Sequence, residues 1–551
     1  MFPVSQNERL VPAARRPVAR DLLRSLGWLV GIISVAGCFK PDDGREPPLD
    51  RIYFPTGLAL SPDGNRLYLA NSDWDLQFNA GSIQVYDTGR LRELLPRHCE
   101  SEADCTTTGE TCDLTPRVDD AGLEISPTHW CVDPATFDPC GGLGLQSAAD
   151  RLLAPGLCQP FDNESPELLL ESVGVGAFAT DLIYRPNRFG GGRLFVPVRS
   201  DATLHWIDVA GDAASSGLPE LDCGQGNGRD CDDNHRRGDS SDEATRSGEE
   251  LPIEPYAVDA TADGEAIIVS HQTEGKVSLF VNDWDEIPAG PRLSFVLEDL
   301  PARPVLVSAI PIPEVARLDR ELAVRQLSYQ PGFWLAFRGN PFIQLIRYYD
   351  AVDAADGKPF LERAFADRLT TTAASDVRGL AVDASTRSAC ESGCALDTAC
   401  LGACAGIALD VFLSNTTPAS LLVGNSTSLR RAAVPNDRLQ VSDAVAIDNG
   451  PSRTVVGQIL DEQGLPQRRV FVTSFDSRSV SIYDPLARVV EARVVTGRGP
   501  TALAIDSAHA LAYVAHFTDS YVGVIDLDRR HPTFGTIIRA LGRPTAPRGD
   551  D

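Results

Sequence analysis

Thirteen cysteines are the residues of this chain best placed to do chemistry. Twelve fall into three groups: Cys99, Cys105, Cys112, Cys131, Cys140 and Cys158; Cys223 and Cys231; and Cys390, Cys394, Cys400 and Cys404. A thiol can pair, ligate a metal or attack as a thiolate. Only the last group has a spacing that invites a metal. Structural zinc pairs favour short gaps within each pair and a longer one between pairs. In an exported chain, nested disulfides 390–404 and 394–400 across a helical hairpin are the expectation instead. Cys223 and Cys231 should bridge locally. The first group has too little apolar sequence for a core, so its bridges must hold it together. Six cysteines leave the connectivity open, and the expected pairing is 99–112, 105–131 and 140–158. No Cys-x-x-Cys-His is present for c-type haem.

The thirteenth cysteine, Cys38, has no partner left. It ends the apolar run Leu26–Gly37, which follows Arg9, Arg15, Arg16, Arg20 and Arg24. A positive flank, a short apolar core and small residues before a cut describe a secretory signal over residues 1–37. The run is too short to span a bilayer comfortably, which takes about 20 residues. Val35-Ala36-Gly37-Cys38 resembles a bacterial lipobox. That resemblance implies cleavage before Cys38, lipidation of its thiol and acylation of the new terminus. Residues 38–50, rich in Pro and Asp, would then be a tether. Phe39 follows Cys38, where Asp would argue for retention in the inner membrane. The expected address is therefore the cell envelope, at the outer membrane.

Other chemistry is sparse. Among eight histidines, His271 and His516 occupy one repeat slot in different repeats. They are either ligands at a channel mouth or strand-end residues where other repeats place Asn71, Asn415 and Ser474. The oxygen-rich stretch Asp222–Asn234 lacks the order of a calcium-binding EF-hand loop and its terminal Glu, so a bridge-pinned loop is expected. There is no His-Glu-x-x-His and no Gly-x-Ser-x-Gly. No catalytic, cofactor or metal residues are assigned. A formal net charge of −27 excludes nucleic acid as a natural partner.

The elements that position these residues come from a repeat of three phrases. The opening phrase reads Pro55-Thr-Gly-Leu-Ala-Leu-Ser61, with copies at Ala179–Arg185, Pro255–Thr261, Val377–Asp383, Ser442–Asp448 and Pro500–Asp506. The middle phrase is a short strand ending at Asn71, Val198, His271, Asn415, Ser474 or His516. The closing phrase ends in apolar-Asp at Asp87, Asp208, Asp484 or Asp526. Asp208, Asp484 and Asp526 each stand ten residues beyond the end of the middle phrase. A further branched run follows. Four short strands per unit, joined by turns such as Pro62-Asp-Gly64, make a propeller blade. Units start near 52, 176, 253, 302, 375, 440 and 498. The expected fold is all-β: one propeller over residues 51–542, with seven blades of four antiparallel strands. Six or eight follow if the degraded unit near 302 is misread. Residues 92–165, 211–250 and 388–406 are insertions, and 543–551 a disordered tail.

The motif Pro-apolar-Gly/Ala-apolar-Ala, then Tyr-Val-x-Asn, then apolar-Ile-Asp, resembles the YVTN β-propeller repeats. It is also similar to quinoprotein dehydrogenase, haem d1 nitrite reductase and lactonase propellers. The resemblance implies the fold and leaves the chemistry open. The expected function is a membrane-anchored binding or scaffold module, with an envelope protein or extracellular ligand on a propeller face or on the cysteine-rich insert. The alternative is a propeller enzyme, lactonase-like or redox, with its site at the axial channel mouth.

Overall fold

Strand Arg66–Asn71 shows why the chain builds blades. Successive side chains of a strand point to opposite faces. Leu67 and Leu69 pack toward one neighbouring sheet, and Tyr68 and Ala70 toward the other. Both faces are covered, so the strand reads as a continuous apolar run rather than an alternating one. The same arrangement repeats around a ring. The computed structural model describes residues 45–545 apart from 108, 116, 119–123, 127, 148, 154, 163–167, 188–189, 211–219, 226–228, 239–249, 285–289, 319–329, 351–356, 370–375, 427–429, 432–433 and 436–437. Cys38 lies outside the described residues.

Seven antiparallel sheets form the blades. Their innermost strands are Pro55–Leu60, Ile183–Pro186, Pro255–Ala260, Pro304–Ala309, Val377–Asp383, Pro451–Leu460 and Pro500–Asp506, in blades 1 to 7. The outermost are Leu169–Gly176, the split pair Glu220–Asp222 and Arg236–Gly238, Gly290–Leu297, Phe360–Arg368, Gln440–Ala446, Val489–Val495 and Ile537–Leu541. Each blade-to-blade seam has its own apolar cluster. The Gly or Ala of the repeat phrase is set by this closeness. A Cβ on Gly57 would stand 2.5 Å from the Leu182 Cβ of blade 2.

One boundary differs from the repeat pattern, which puts Ser442–Asp448 at the opening of the sixth unit as its inner strand. Gln440–Ala446 is instead the outer strand of blade 5, paired with Ala419–Ser426, and blade 6 opens at Pro451. Apolar-Ala-apolar-Asp suits a half-exposed outer strand as well as an inner one. The distinguishing residue is the leading proline, which pairs with the end of the second strand in blades 1, 3, 4, 6 and 7.

The six disulfides are Cys99–Cys112, Cys105–Cys131, Cys140–Cys158, Cys223–Cys231, Cys390–Cys404 and Cys394–Cys400, as expected. The last two staple helices Ser385–Ser392 and Thr398–Cys404 into a hairpin. The insertion of blade 1 does more than project. Among the described residues, neither blade 1 nor blade 7 borrows a strand from the other end of the chain. The insertion instead lies along the outer edge of blade 7. The Phe161 N–H donates to the Ala540 carbonyl (2.9 Å), and the Gly542 N–H to the Phe161 carbonyl (3.1 Å). The buried Arg539 guanidinium donates to the carbonyls of Leu94 and Cys140, both at 2.8 Å. The stapled segment thereby fastens the first blade to the last.

Candidate functional site

Six inner strands carry a β-bulge at the same place, just after the first residue. A bulge leaves one residue out of the ladder and re-aims its side chain. Here the re-aimed side chains face the axis. Thr56, Tyr256, Val305, Arg378, Ser452 and Thr501 of these strands, with Thr180 at the equivalent place in blade 2, all line an axial cavity of about 510 Å³.

The ring divides into two arcs. In four blades a hydroxyl stitches the seam to the next blade's inner strand. Thr56 Oγ1 donates to the Ala179 carbonyl (2.9 Å) and Thr180 Oγ1 to that of Tyr256 (2.6 Å). Ser452 Oγ donates to the Pro500 carbonyl and Thr501 Oγ1 to the Pro55 carbonyl, both at 3.1 Å. The last of these closes the ring from blade 7 to blade 1. Blades 3, 4 and 5 put Tyr256, Val305 and Arg378 in that slot. The departures stand side by side and give the cavity a distinct wall.

Arg453 of blade 6 reaches across the axis to Asp181 of blade 2 and pairs with it. Asp181 is 7% exposed and Arg453 31%. The charge of Asp181, with that of Asp259 behind it, raises the pKa of the guanidinium further. Asp259 is itself held by Arg185 and by the Ala309 N–H (2.7 Å). Arg378 is clamped bidentately by Asp376, at 3.0 and 2.9 Å. Arg338 and Asp476 also line the cavity. Among the described residues Arg338 has no ion-pair partner.

The mouth lies where the inner strands begin. Its rim comes from loops that follow the second strands: Ser72, Trp74, Arg338, Phe475, Asp476 and Phe517 all line the cavity. Trp74 packs edge-on against Phe178 and Phe517, with ring centroids 5.4 and 5.7 Å apart, and stays 47% exposed. The Arg199 guanidinium lies over it at 5.8 Å. Asp73 is buried beneath this loop and accepts the Phe78 N–H. Burial pushes its carboxyl up to about 7.

The long excursions leave from the other end of the blades. Residues 92–165 follow strand Ala80–Asp87, whose end pairs with the start of Arg66–Asn71. The cysteine hairpin follows strand Val377–Asp383 in the same sense. Cysteine-rich insert and cavity mouth therefore sit on opposite faces.

His271 and His516 do not line the cavity. Both are fully buried at the ends of second strands. Desolvation pushes their imidazoles down, to about 4 and about 3. His271 shares a hydrogen bond with Ser278 Oγ (2.8 Å), as Asn71 Nδ2 does with Ser82 Oγ (3.0 Å). This is a strand-end packing slot. In the 222–234 loop, Asp232 accepts the His235 N–H and Asp222 the Gly224 N–H, each capping local backbone. The four clustered cysteines 390–404 are consumed in disulfides.

The bulge residues escape the sequence pattern because the second position of the opening phrase varies. That variation is the signal: Thr, Thr, Tyr, Arg and Thr stand between near-constant neighbours. Arg453 is hidden by the misplaced start of blade 6. Trp74 and Arg338 lie in loops and carry no periodicity.

Fold and site together define a seven-bladed propeller with an axial cavity. No protein-family model matches the chain, and no curated protein does. Among solved structures it is similar to the periplasmic gluconolactonase of Pseudomonas aeruginosa, at 11% identity and TM-score 0.42 over 81% of this chain and 86% of that one. It is similar to Kuenenia stuttgartiensis hydrazine synthase at 12% and 0.41, over 89% and 98%. Sqt1 of Chaetomium thermophilum, bound to the N-terminus of ribosomal protein L10, gives 9% and 0.43 over 91% and 90%. The propeller assignment rests on the strand topology above, and no activity passes from these proteins to this chain.

Proposed function

We propose that this chain is a lipid-anchored envelope protein whose propeller is a binding module, with the axial cavity as its ligand site. One observation carries the role of the cavity: all seven repeats aim a side chain from this position into it, and the stitched pattern breaks on one contiguous wall. Trp74, Phe475 and Phe517 offer apolar faces, and Arg338, which has no ion-pair partner among the described residues, offers a cation. A small organic acid with a flat or apolar face fits that rim. Among the described residues the cavity wall holds no histidine or cysteine, and its buried carboxylate Asp181 is tied to Arg453.

A lactonase-like hydrolase is the second reading. It draws on the charges of Asp181, Arg453 and Asp259, contributed by blades 2, 6 and 3 around one axis. The two are separated by titrating sugar lactones and sugar acids calorimetrically and following lactone opening in a pH-stat. Binding without turnover supports the first reading; turnover abolished by Asp181→Asn supports the second. The anchor has its own test. Cys38→Ser should release the protein from membranes, and unchanged fractionation would overturn the lipid assignment.

A further inference from the structure

Away from the cavity, three of the eight histidines gather where the stapled insertion meets blade 7. His98 and His129 belong to the insertion and His531 to the loop after strand Tyr521–Asp526. The ring centroids of His98 and His531 are 4.9 Å apart, and those of His98 and His129 6.1 Å. Two imidazoles sharing one tetrahedral zinc, with Zn–N near 2 Å, have centroids about 5 Å apart.

The positions are built. His98 precedes Cys99, and His129 lies two residues before Cys131, so two disulfides flank them. The Cys99 N–H donates to the His129 carbonyl (2.9 Å), and His98 is bridged to Trp130. His531 is oriented from behind. Its Nδ1 meets Asp526 Oδ2 at 3.0 Å. Asp526 is fixed in turn by the Thr533 hydroxyl (2.6 Å) and the Asp528 N–H (3.0 Å). Asp528 Oδ2 lies 3.5 Å from the His531 Nε2. A carboxylate behind Nδ1 is the usual outer-shell arrangement of a ligating histidine, and a metal at Nε2 would take the place of the Asp528 contact there. Arg530 pairs with Asp528 and is the opposing cation.

We infer that His98, His129 and His531 form a site for a divalent transition metal such as Zn²⁺, oriented by Asp526, which ties the insertion to blade 7. The His98 and His129 rings lie face to face, tilted by 17°, so closing the site turns these solvent-accessible side chains about χ1 and χ2. Once the rings have turned, three nitrogen ligands and one open position would make an imidazole-rich zinc site.

The test uses the full chain with its disulfides intact, treated with chelator and titrated with ZnCl₂ by calorimetry. One equivalent should bind. His98→Ala, His129→Ala and His531→Ala should each weaken binding by at least about 10-fold, and Asp526→Asn by about 10- to 100-fold. His235→Ala, on blade 2, should leave it unchanged. Zn²⁺ should also slow proteolysis of residues 92–165 in wild type but not in His531→Ala, a readout that does not depend on the heat of binding. No Zn²⁺ binding, or affinity unchanged in the three alanine variants while their melting matches wild type, would overturn the inference.

Discussion

Removing either partner of the Arg453–Asp181 strut should cost unequal amounts, because the two ends are unequally buried. Arg453→Ala strands a carboxylate that is only 7% exposed, while Asp259 keeps its own partner, Arg185. Breaking a buried pair from one side costs roughly 3–5 kcal/mol. The pair lines a cavity open to solvent, so some of that is recovered by water, and about 2–4 kcal/mol is expected. Asp181→Ala strands a guanidinium already 31% exposed, which can turn into the cavity. Its loss belongs nearer the exposed-pair range of about 1 kcal/mol. The double variant should cost less than the two losses added, giving a coupling energy of about 1–2 kcal/mol. Urea unfolding read from midpoints at constant m-value measures all three. Equal single-variant losses, or additivity within about 0.5 kcal/mol, would refute the picture of a strut crossing the axis.

Thr180→Val keeps the shape but strips the 2.6 Å seam bond to the Tyr256 carbonyl, and should lower stability by about 1–2 kcal/mol in the same assay. His271 and His516 have folded pKa values of about 4 and about 3, below the ordinary 6.5. The unfolded chain therefore takes up their protons first, and stability present above pH 6.5 falls as pH drops toward 4. His271→Asn, the residue at that slot in blades 1 and 5, should flatten this acid limb between pH 6.5 and 5; an unchanged limb contradicts the assignment. Replacing Cys140 and Cys158 by Ser removes a bridge spanning 18 residues, worth about 3 kcal/mol by loop entropy. It should also expose residues 92–165 to protease, and equal cleavage of wild type and variant counts against the fastening role of the insertion.

The fold was legible because its signal is repeated. A blade is buried on both faces, so each unit needs the same apolar strands, tight turns and small residue at the seam, and seven copies average out local noise. The disulfides were legible because each group holds an even number of thiols close in sequence. The start of blade 6 was not, since Gln440–Ala446 and an inner strand share one alternation and only Pro451 tells them apart. The site was the least legible. Thr56 and Arg378 face the axis only because a bulge turns them there, and a bulge leaves no period in the sequence. Arg453 and Asp181 are 272 residues apart, and ring closure alone sets one opposite the other. His98 and His531 meet only because the insertion folds back onto blade 7.

The axial cavity, entered past Trp74, is the feature on which the proposed binding role depends. The direct measurement is a thermal-shift titration of wild type, Trp74→Ala and Arg338→Ala with a panel of aromatic carboxylates, sugar acids and sugar lactones. If the cavity is the binding site, at least one of these ligands raises the wild-type midpoint and loses most of that shift in both variants. Shifts of equal size in all three proteins, or none across the panel, would contradict it.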